Sequence, residues 1–223
     1  MKFLRFFGKT LISMGVGVLM FVAWTLWGTG IYTAQQQDRL NEQFDSAPAL
    51  IPVELTARDP SGRRVVYSGP PKGFKPGPGE AVYRMAIPSI DVEQTVVHGV
   101  DTDQLRKGPG HYPSCGDGFE LCAEDIEQVW PGEKGRVIVS GHRTTYGAPF
   151  WDLDKLTRGD VVRVETQWGD FVYRVTEKQI VEADFVGIVI PGDDAELVLT
   201  TCNPKFSAAQ RLVVYTEMVK DQV

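Results

Sequence analysis

The chain contains 223 residues, of which 43% are hydrophobic and 23% are charged. This length allows one or at most two domains, and the composition excludes wholesale disorder or a collagen-like repeat. The formal net charge is −6, although Lys2, Arg5 and Lys9 lie in an N-terminal stretch without acids, so the remainder is more acidic still. Such a body lacks the basic surface that nucleic acids require, and we expect no DNA or RNA partner.

The N-terminal segment is apolar and long enough to cross a bilayer. An uncharged run from Leu11 to Ile31 contains 21 residues, and as an α-helix it would span about 30 Å, the thickness of the hydrocarbon core. A cleaved secretory signal is the alternative, but its apolar core is usually about 7–15 residues long. Because positive charges precede the run, we predict a cytoplasmic tip and membrane anchor over residues 1–34, with everything after it outside the cytoplasm.

Residues 35–80 are predicted to form an extracytoplasmic stalk. Their first part is polar, and from Ser46 to Glu80 the chain contains seven prolines and five glycines. A chain of this composition is semi-extended and would hold the following domain away from the membrane.

Residues 81–223 are predicted to form an all-β domain. Runs rich in β-formers recur between turn signals, at residues 82–88, 92–100, 136–142, 160–166, 170–181, 196–202 and 211–219. Seven or eight strands in about 140 residues indicate a closed barrel or a sandwich. Helical pattern is confined to one or two turns, at residues 102–107 and 149–156.

The cysteines are interpreted for an oxidising compartment, because the body is predicted to lie outside the cytoplasm. Cys115 and Cys122 lie seven positions apart in an acidic, glycine-containing segment, and we predict a disulfide between them. Two zinc thiolates are the alternative, but no histidine or second cysteine pair lies at a zinc spacing. We therefore expect neither metal nor cofactor, and Cys202 is left as a lone thiol.

Three chemically capable side chains lie where predicted strands begin or end. Cys202 and His142 each close a strand, and a thiol and an imidazole can form a nucleophilic pair if a barrel brings the strand ends together. Arg211 begins the strand after Cys202, where a guanidinium could stabilise a thiolate or an acyl oxyanion. A structural role is the alternative for each of these residues, and it is the predicted role of His98 and His111.

The motifs around these residues resemble those of sortases, the membrane-anchored cysteine transpeptidases of Gram-positive bacteria. The stretches GPGHYP, GHRTTYGAPF and LTTCNPKFSAAQRLVV resemble class E sortases of actinobacteria in particular, over about residues 81–219. Two features depart from the family pattern. Val198 stands where a threonine is usual, and the segment between Tyr112 and Val137 is longer than usual.

The resemblance implies the eight-stranded sortase β-barrel and an acyl-transfer reaction. Cys202 would be the nucleophile, His142 the general acid and base, and Arg211 the donor to the oxyanion or substrate carbonyl. The thiol would attack the threonine carbonyl of a C-terminal LAxTG or LPxTG sorting signal, and an amine would resolve the thioester. With ordinary pKa values of about 8.5 and 6.5, on the order of 1% of molecules would hold thiolate and imidazolium together at pH 7.

Substrate recognition is also implied by the resemblance. In class E sortases the tyrosine of GPGHYP is associated with LAxTG-type signals, so Tyr112 is predicted to set specificity, and Thr200 and Thr201 are predicted to contact the signal. The expected partners are surface proteins with C-terminal sorting signals, the cell membrane and the amine of a peptidoglycan precursor.

Three other functions remain in view. A pilus-polymerising sortase would use the same residues with a different amine. A non-catalytic extracellular β-barrel binding module would explain the anchor and the strands but leave the lone thiol unexplained. A cysteine protease would share Cys202 and His142, but the sequence around Cys202 is not papain-like and offers no evident Asn or Asp partner.

Overall fold

The computed structural model describes residues 2–113, 128–190 and 192–220. The strands in these ranges are β1 Val53–Arg58, β2 Arg64–Gly69, β3 Ala81–Ile87, β4 Val92–His98, β5 Gly110–His111, β6 Gly135–Ser140, β7 Val161–Thr166, β8 Gly169–Glu182, β9 Ala195–Asn203 and β10 Gln210–Met218. The predicted disulfide between Cys115 and Cys122 lies outside the described residues and stays a prediction.

Eight of these strands close into a barrel in the order β10-β8-β7-β3-β4-β5-β6-β9. The pairs β4–β5 and β6–β9 are parallel and the other barrel pairs are antiparallel. The prediction of a closed eight-stranded barrel is therefore confirmed. The seven predicted runs correspond to β3, β4 and β6–β10, whereas the two-residue β5 was not predicted.

Alternation of side chains builds the barrel core. Along β7, Val162 and Val164 point inward and are buried, while Arg163 and Glu165 are exposed. Strands β6 and β9 are buried on both faces, because the outer face is covered by a short 3₁₀ turn at Val186–Val189. Helix remains minor within the described domain, with α3 at Thr102–Leu105 and a 3₁₀ turn at Leu153–Lys155 in the two predicted helical regions.

The N-terminal segment is one long helix that differs from the predicted anchor and stalk. Helix α1 covers Lys2–Ala23, a π-helical turn covers Trp24–Gly28, and α2 continues over Thr29–Ser46. It is the one described helix that is long and apolar enough to cross a membrane, and its most apolar stretch is fully exposed. The helix thus runs well past residue 34, into the region expected to be a stalk.

Helix α2 packs along the side of the barrel, which is why it does not end with the apolar run. Its buried residues, Thr33, Gln37, Leu40 and Phe44, recur every three or four positions and form one helical face. The Gln37 side-chain amide donates to the carbonyls of Thr95 (3.0 Å) and Lys107 (2.9 Å) and accepts from the Thr95 N–H (2.8 Å). A polar side chain thereby satisfies three backbone groups that packing against a helix would otherwise leave unpaired.

The remainder of the predicted stalk also contains regular structure. Strands β1 and β2 form an antiparallel hairpin, which turns where Gly62 adopts a left-handed φ of 84°. Val65 and Tyr67 of the hairpin pack on Ala195, and the Tyr67 hydroxyl donates to Asp194 at 2.9 Å. The stalk prediction missed this hairpin because prolines on both sides dominate the local composition.

Candidate active site

Strand register brings the three reactive side chains to one edge of the barrel. In the parallel pair β6–β9, Ser140 lies opposite Thr200, so two further residues along each chain lead to His142 and Cys202 at the same level. On the other side of β9, Cys202 lies directly opposite Arg211 in the antiparallel pair with β10. We refer to the edge formed by His142, Cys202 and Arg211 as the active-site rim.

The rim opens on the outer face of the barrel. Side chains alternate along a strand, and Val139, Leu199 and Leu212 point into the barrel core. Their neighbours Ser140, Thr200 and Arg211 therefore face outward. These outward residues line a cleft of about 110 Å³ with Tyr112 and Val213, and the chain between β8 and β9 forms the opposite wall.

Cys202 is the free cysteine of the described ranges and is partly exposed. It is the penultimate residue of β9, which ends at Asn203, immediately before Pro204. Its backbone pairs with Arg211 of β10, and its carbonyl accepts a hydrogen bond from Arg143, while the ladder to β6 ends two residues earlier, at Thr200. The thiol thus combines a hydrogen-bonded backbone with partial exposure, next in register to Arg211, which lines the cleft.

His142 is positioned by a turn that requires glycine before it. A Cβ at Gly141 would lie 2.7 Å from the ring of Phe150, and the Phe150 N–H donates to the His142 carbonyl at 3.2 Å. The imidazole lies beside the Tyr146 ring, with centroids 5.0 Å apart. Its Nε2 is buried without a hydrogen-bond partner among the described residues, so the hydrogen-bonding capacity of this nitrogen is unused.

The electrostatic surroundings of His142 favour the neutral imidazole. Burial lowers the pKa of His142 below its usual value, and the positive charge of Arg106 lowers this pKa further. The Arg106 guanidinium lies over the Tyr146 ring, 5.7 Å from its centroid. Arg106 is therefore a residue near the rim that sequence reasoning did not identify.

Arg143 is a second residue near the rim to which the sequence analysis assigned no role of its own. Its buried guanidinium donates to the carbonyl of Cys202 (3.2 Å) and the carbonyl of Trp151 (3.1 Å), and it pairs with the Asp154 carboxylate at 2.9 Å. It connects the turn after His142 to the strand end at Cys202. The available signal was its place in the GHRT motif, but sequence could not indicate which groups it contacts.

Arg211 lies on the rim, and its guanidinium bonds to the adjacent loop. Nη1 donates to the carbonyls of Ala208 (2.9 Å) and Gln210 (3.0 Å). The side chain also lines the cleft with Tyr112. Burial raises the pKa of Tyr112, while the charge of Arg211 and a hydrogen bond with Ser140 partly oppose this effect. Tyr112 is therefore a neutral hydroxyl group within the cleft.

The two threonines of the LTTC motif have different surroundings. Thr200 lines the cleft, and its buried hydroxyl has no hydrogen-bond partner among the described residues. Thr201 faces the opposite side of the strand and donates to the Gly141 carbonyl at 2.7 Å. The structure thus brings Tyr112 and Thr200 to the cleft, whereas Thr201 holds β9 to the turn before His142.

The other two histidines are buried, in agreement with their predicted structural roles, and His98 also lines a cleft with Trp130. His111 stacks on Trp130 with centroids 4.4 Å apart, and its Nδ1 lies 2.9 Å from the Tyr83 hydroxyl. Burial lowers the pKa of His111 to about 3, and His98 adds to this effect. Within residues 2–113, 128–190 and 192–220, no group of three or more metal-ligating side chains occurs.

Comparison with known proteins identifies the class to which this barrel and rim belong. Residues 85–219 match the sortase domain family, so the chain belongs to the sortases, which are cysteine transpeptidases. The family prediction made from the GHRT and LTTC motifs is confirmed.

Three individual sortases show how similar this chain is to known members of the family. The chain is 34% identical to sortase D of Bacillus subtilis over 151 residues, covering 66% of this chain and 68% of that protein. It is 29% identical to sortase SrtE1 of Streptomyces coelicolor over 98% of this chain, and it spans 58% of that longer protein. The crystal structure of SrtE1 with a tripeptide in the active site superposes with a TM-score of 0.54, over 65% of this chain and 91% of that chain. The sortase SrtF of Corynebacterium diphtheriae, 26% identical, superposes with a TM-score of 0.53 over 69% and 93% of the two chains.

Proposed function

We propose that this sortase is a membrane-anchored transpeptidase that joins surface proteins to a cell-wall amine through a thioester on Cys202. The observation that carries this proposal is the register of β6, β9 and β10, which brings His142, Cys202 and Arg211 to one edge of the barrel. Similarity to SrtE1 over nearly the whole chain supports it.

The proposed reaction has two acyl-transfer steps. In the first, the sulfur of Cys202 attacks the threonine carbonyl of the sorting signal, the Thr–Gly amide bond breaks, and His142 gives a proton to the departing glycine amine. In the second, an amine attacks the thioester, His142 accepts the amine proton, and the C–S bond breaks to restore the thiol. Arg211 would leave its loop carbonyls to donate to the oxyanion in both steps.

The surroundings of His142 support a role as base before substrate binds. A lowered pKa keeps the imidazole neutral at pH 7, so it can accept the thiol proton as the nucleophile forms. The fraction of molecules holding a thiolate and an imidazolium together should consequently be even smaller than ordinary pKa values imply.

The cleft supports recognition of an extended peptide. It is lined by apolar residues, including Ile188, Val189 and Val213, and by the hydroxyls of Tyr112 and Thr200. We propose that Tyr112 contacts the second position of an LAxTG-type signal and that Thr200 hydrogen-bonds the peptide. The tripeptide bound in the active site of the related SrtE1 structure is consistent with a peptide-binding cleft.

The proposed topology places the barrel outside the cytoplasm. Helix α1 carries an apolar stretch long enough to span a bilayer, and the basic residues before it favour a cytoplasmic N-terminus. Residues 81–223 would form the catalytic domain, with α2 packed on its side. The amine would come from a peptidoglycan precursor, which this topology makes accessible.

Trapping the acyl-enzyme tests the proposal directly. The full chain in detergent is mixed with LAxTG and LPxTG peptides, with and without an amine, and intact-mass spectrometry follows the adduct on Cys202. We expect an adduct that an amine removes as a transpeptidation product, faster for LAxTG, and no adduct for Cys202→Ala. Cleavage by Cys202→Ala, or hydrolysis that no amine can divert, would overturn the mechanism.

A further inference from the structure

The loop that follows His142 contacts the end of the apolar helix. The Thr29 hydroxyl accepts a hydrogen bond from the Tyr146 N–H at 3.1 Å. A Cβ at Gly30 would lie 3.7 Å from the Gly147 nitrogen, so helix and loop backbones are nearly in contact. Thr29 and Gly30 belong to the last turn of the apolar run that ends at Ile31.

This contact sets the height of the active-site rim relative to a bilayer. If the apolar run spans the hydrocarbon core, Thr29 and Gly30 lie at its outer boundary, and the loop that touches them lies at headgroup level. Tyr32, which follows the run directly, is exposed, and exposed aromatic residues are enriched at this boundary. The orientation of the barrel relative to the bilayer thus follows from helix α2. This helix packs along the barrel, and its N-terminal end at Thr29 lies beside the loop that follows His142.

An exposed aromatic pair lies on the same edge of the barrel. Phe206, four positions after Cys202, is 68% exposed, and Trp151 is 39% exposed. Their rings meet edge to face with centroids 5.8 Å apart, and the Lys205 amine lies 4.3 Å from the Trp151 centroid. Trp151 closes a turn with Ala148, next to Gly147, so its backbone lies within about 15 Å of Gly30 by chain geometry. Phe206 is placed by its ring contact with Trp151.

The backbone at Phe206 makes its exposure more notable. Its φ is 66°, in the left-handed region that bulky side chains rarely adopt. The protein therefore presents a large aromatic ring to solvent at a conformational cost, without burying it in the barrel. A partner that covers the ring would offset this cost.

We propose that the active-site rim rests on the membrane surface through Trp151 and Phe206, with Lys205 directed toward anionic headgroups. An aromatic pair beside a lysine is the composition found at lipid interfaces, and it lies on the side where the apolar helix leaves the barrel. This inference rests on the proposed anchoring by α1. It places the Cys202 thiol close to the level at which substrates held in the bilayer would present their reacting groups.

Photo-crosslinking in vesicles tests the contact. The full chain, with Phe206 replaced by p-benzoylphenylalanine, is reconstituted in phosphatidylethanolamine–phosphatidylglycerol vesicles, irradiated and analysed for lipid adducts. The matched control carries the same group in place of Leu55, which is 60% exposed on the hairpin that packs near the start of β9. Because Cys202 lies seven residues further along β9, the two ends are about 23 Å apart.

We expect lipid adducts at position 206 and only background yield at position 55, because only the group at position 206 would lie in the headgroup layer. Equal yields at the two positions would overturn the proposal. Vesicle flotation reports the anchor separately: protein that floats without crosslinking at 206 rejects only the rim contact, whereas protein that does not float rejects the proposed anchoring.

A kinetic comparison supplies the second readout. In Phe206→Asn the new residue suits a left-handed backbone, so the fold should be retained. We expect kcat/KM for a soluble peptide in detergent to change less than about twofold, while kcat/KM for the same signal tethered to vesicles falls about tenfold. A parallel loss on both substrates would assign Phe206 to peptide binding, and no loss on either would leave the ring without a membrane role. Both outcomes contradict the proposal.

Discussion

At the scale of single residues, Arg143 shows how the rim is held together. Its guanidinium connects the strand end at Cys202 to the turn after His142 through a carbonyl on each side and a carboxylate. A lysine keeps the positive charge but cannot present several N–H groups in one plane. Arg143 acts on the proposed chemistry through the position of its neighbours, without lying in the cleft.

We expect Arg143→Lys to lower the free energy of unfolding by about 1–3 kcal/mol and to reduce kcat more than it raises KM, because buried carbonyls lose their donors. Thermal unfolding and steady-state kinetics on one peptide measure both effects. The matched control is Lys155→Ala, which removes an exposed ion pair with Asp152 in the same loop region and should change stability by less than about 1 kcal/mol. Equal effects of the two substitutions would contradict a bridging role.

Arg106 and His142 provide a prediction about ionisation. Arg106 is a positive charge that disfavours the imidazolium of His142, so Arg106→Met should raise the pKa of His142. NMR titration of the imidazole protons measures this shift, and Arg174→Met, on the distant part of β8, serves as the charge-matched control. An unchanged His142 titration in Arg106→Met would mean that burial alone sets its pKa.

At the scale of secondary-structure elements, α2 is a part of the barrel domain and not only a connection to the membrane. One of its glutamines, Gln37, is clamped to the backbone of β4 and to Lys107, while Gln35, two positions earlier, is exposed. The two glutamines differ in burial although they lie two positions apart in the same polar segment of the sequence.

We expect Gln37→Leu to destabilise the full chain by about 1–3 kcal/mol, because leucine is of similar size but leaves one N–H and two carbonyls of the backbone unpaired. Denaturant unfolding in detergent measures the change. Gln35→Leu adds the same side chain on the exposed face and should stay within about 0.5 kcal/mol of the parent. If both variants were equally stable, α2 would not be docked as described.

At the scale of the whole molecule, the buried imidazole of His111 makes the free energy of unfolding depend on pH. The folded-state pKa of His111 is about 3, whereas an unfolded chain has the ordinary value of about 6.5. Between these values the unfolded state binds the additional proton, so stability is fully present above about pH 6.5 and declines as the pH falls toward 3. The lowered pKa of His142 acts in the same direction.

We therefore expect the Tm of the full chain to fall between pH 7.5 and pH 5 and the fall to be smaller in His111→Gln, whose amide does not titrate. Scanning calorimetry at the two pH values measures the difference, and comparison within each variant removes any pH-independent loss of packing. An identical pH dependence in parent and variant would show that His111 is not buried as a neutral ring.

Features that depend on local pattern could be predicted from the amino-acid sequence alone. Runs rich in β-forming residues between turn signals predicted seven of the eight barrel strands, because strand-forming and turn-forming residues act on the backbone locally. The apolar run predicted a helix of bilayer length, and the Cys, His and Arg motifs identified the family. Each of these signals is contained within a few neighbouring residues, or in motifs whose order along the chain is preserved.

Features that depend on partners far along the chain could not be predicted in this way, because they arise only when distant segments meet in the fold. In the sequence, Gln37 is one polar residue in a polar segment. Its structural role comes from a hydrogen bond to the backbone of Thr95, 58 positions away. Arg143 bonds to a carbonyl 59 positions away, and the inward direction of Thr201 follows from the register of β9 with its neighbours. A hydrogen bond to a distant backbone group leaves no hydrophobic period in the sequence. The packing of α2 on the barrel and the contacts of Arg143 therefore became evident only in the folded structure. The same holds for the position of the active-site rim beside the apolar helix.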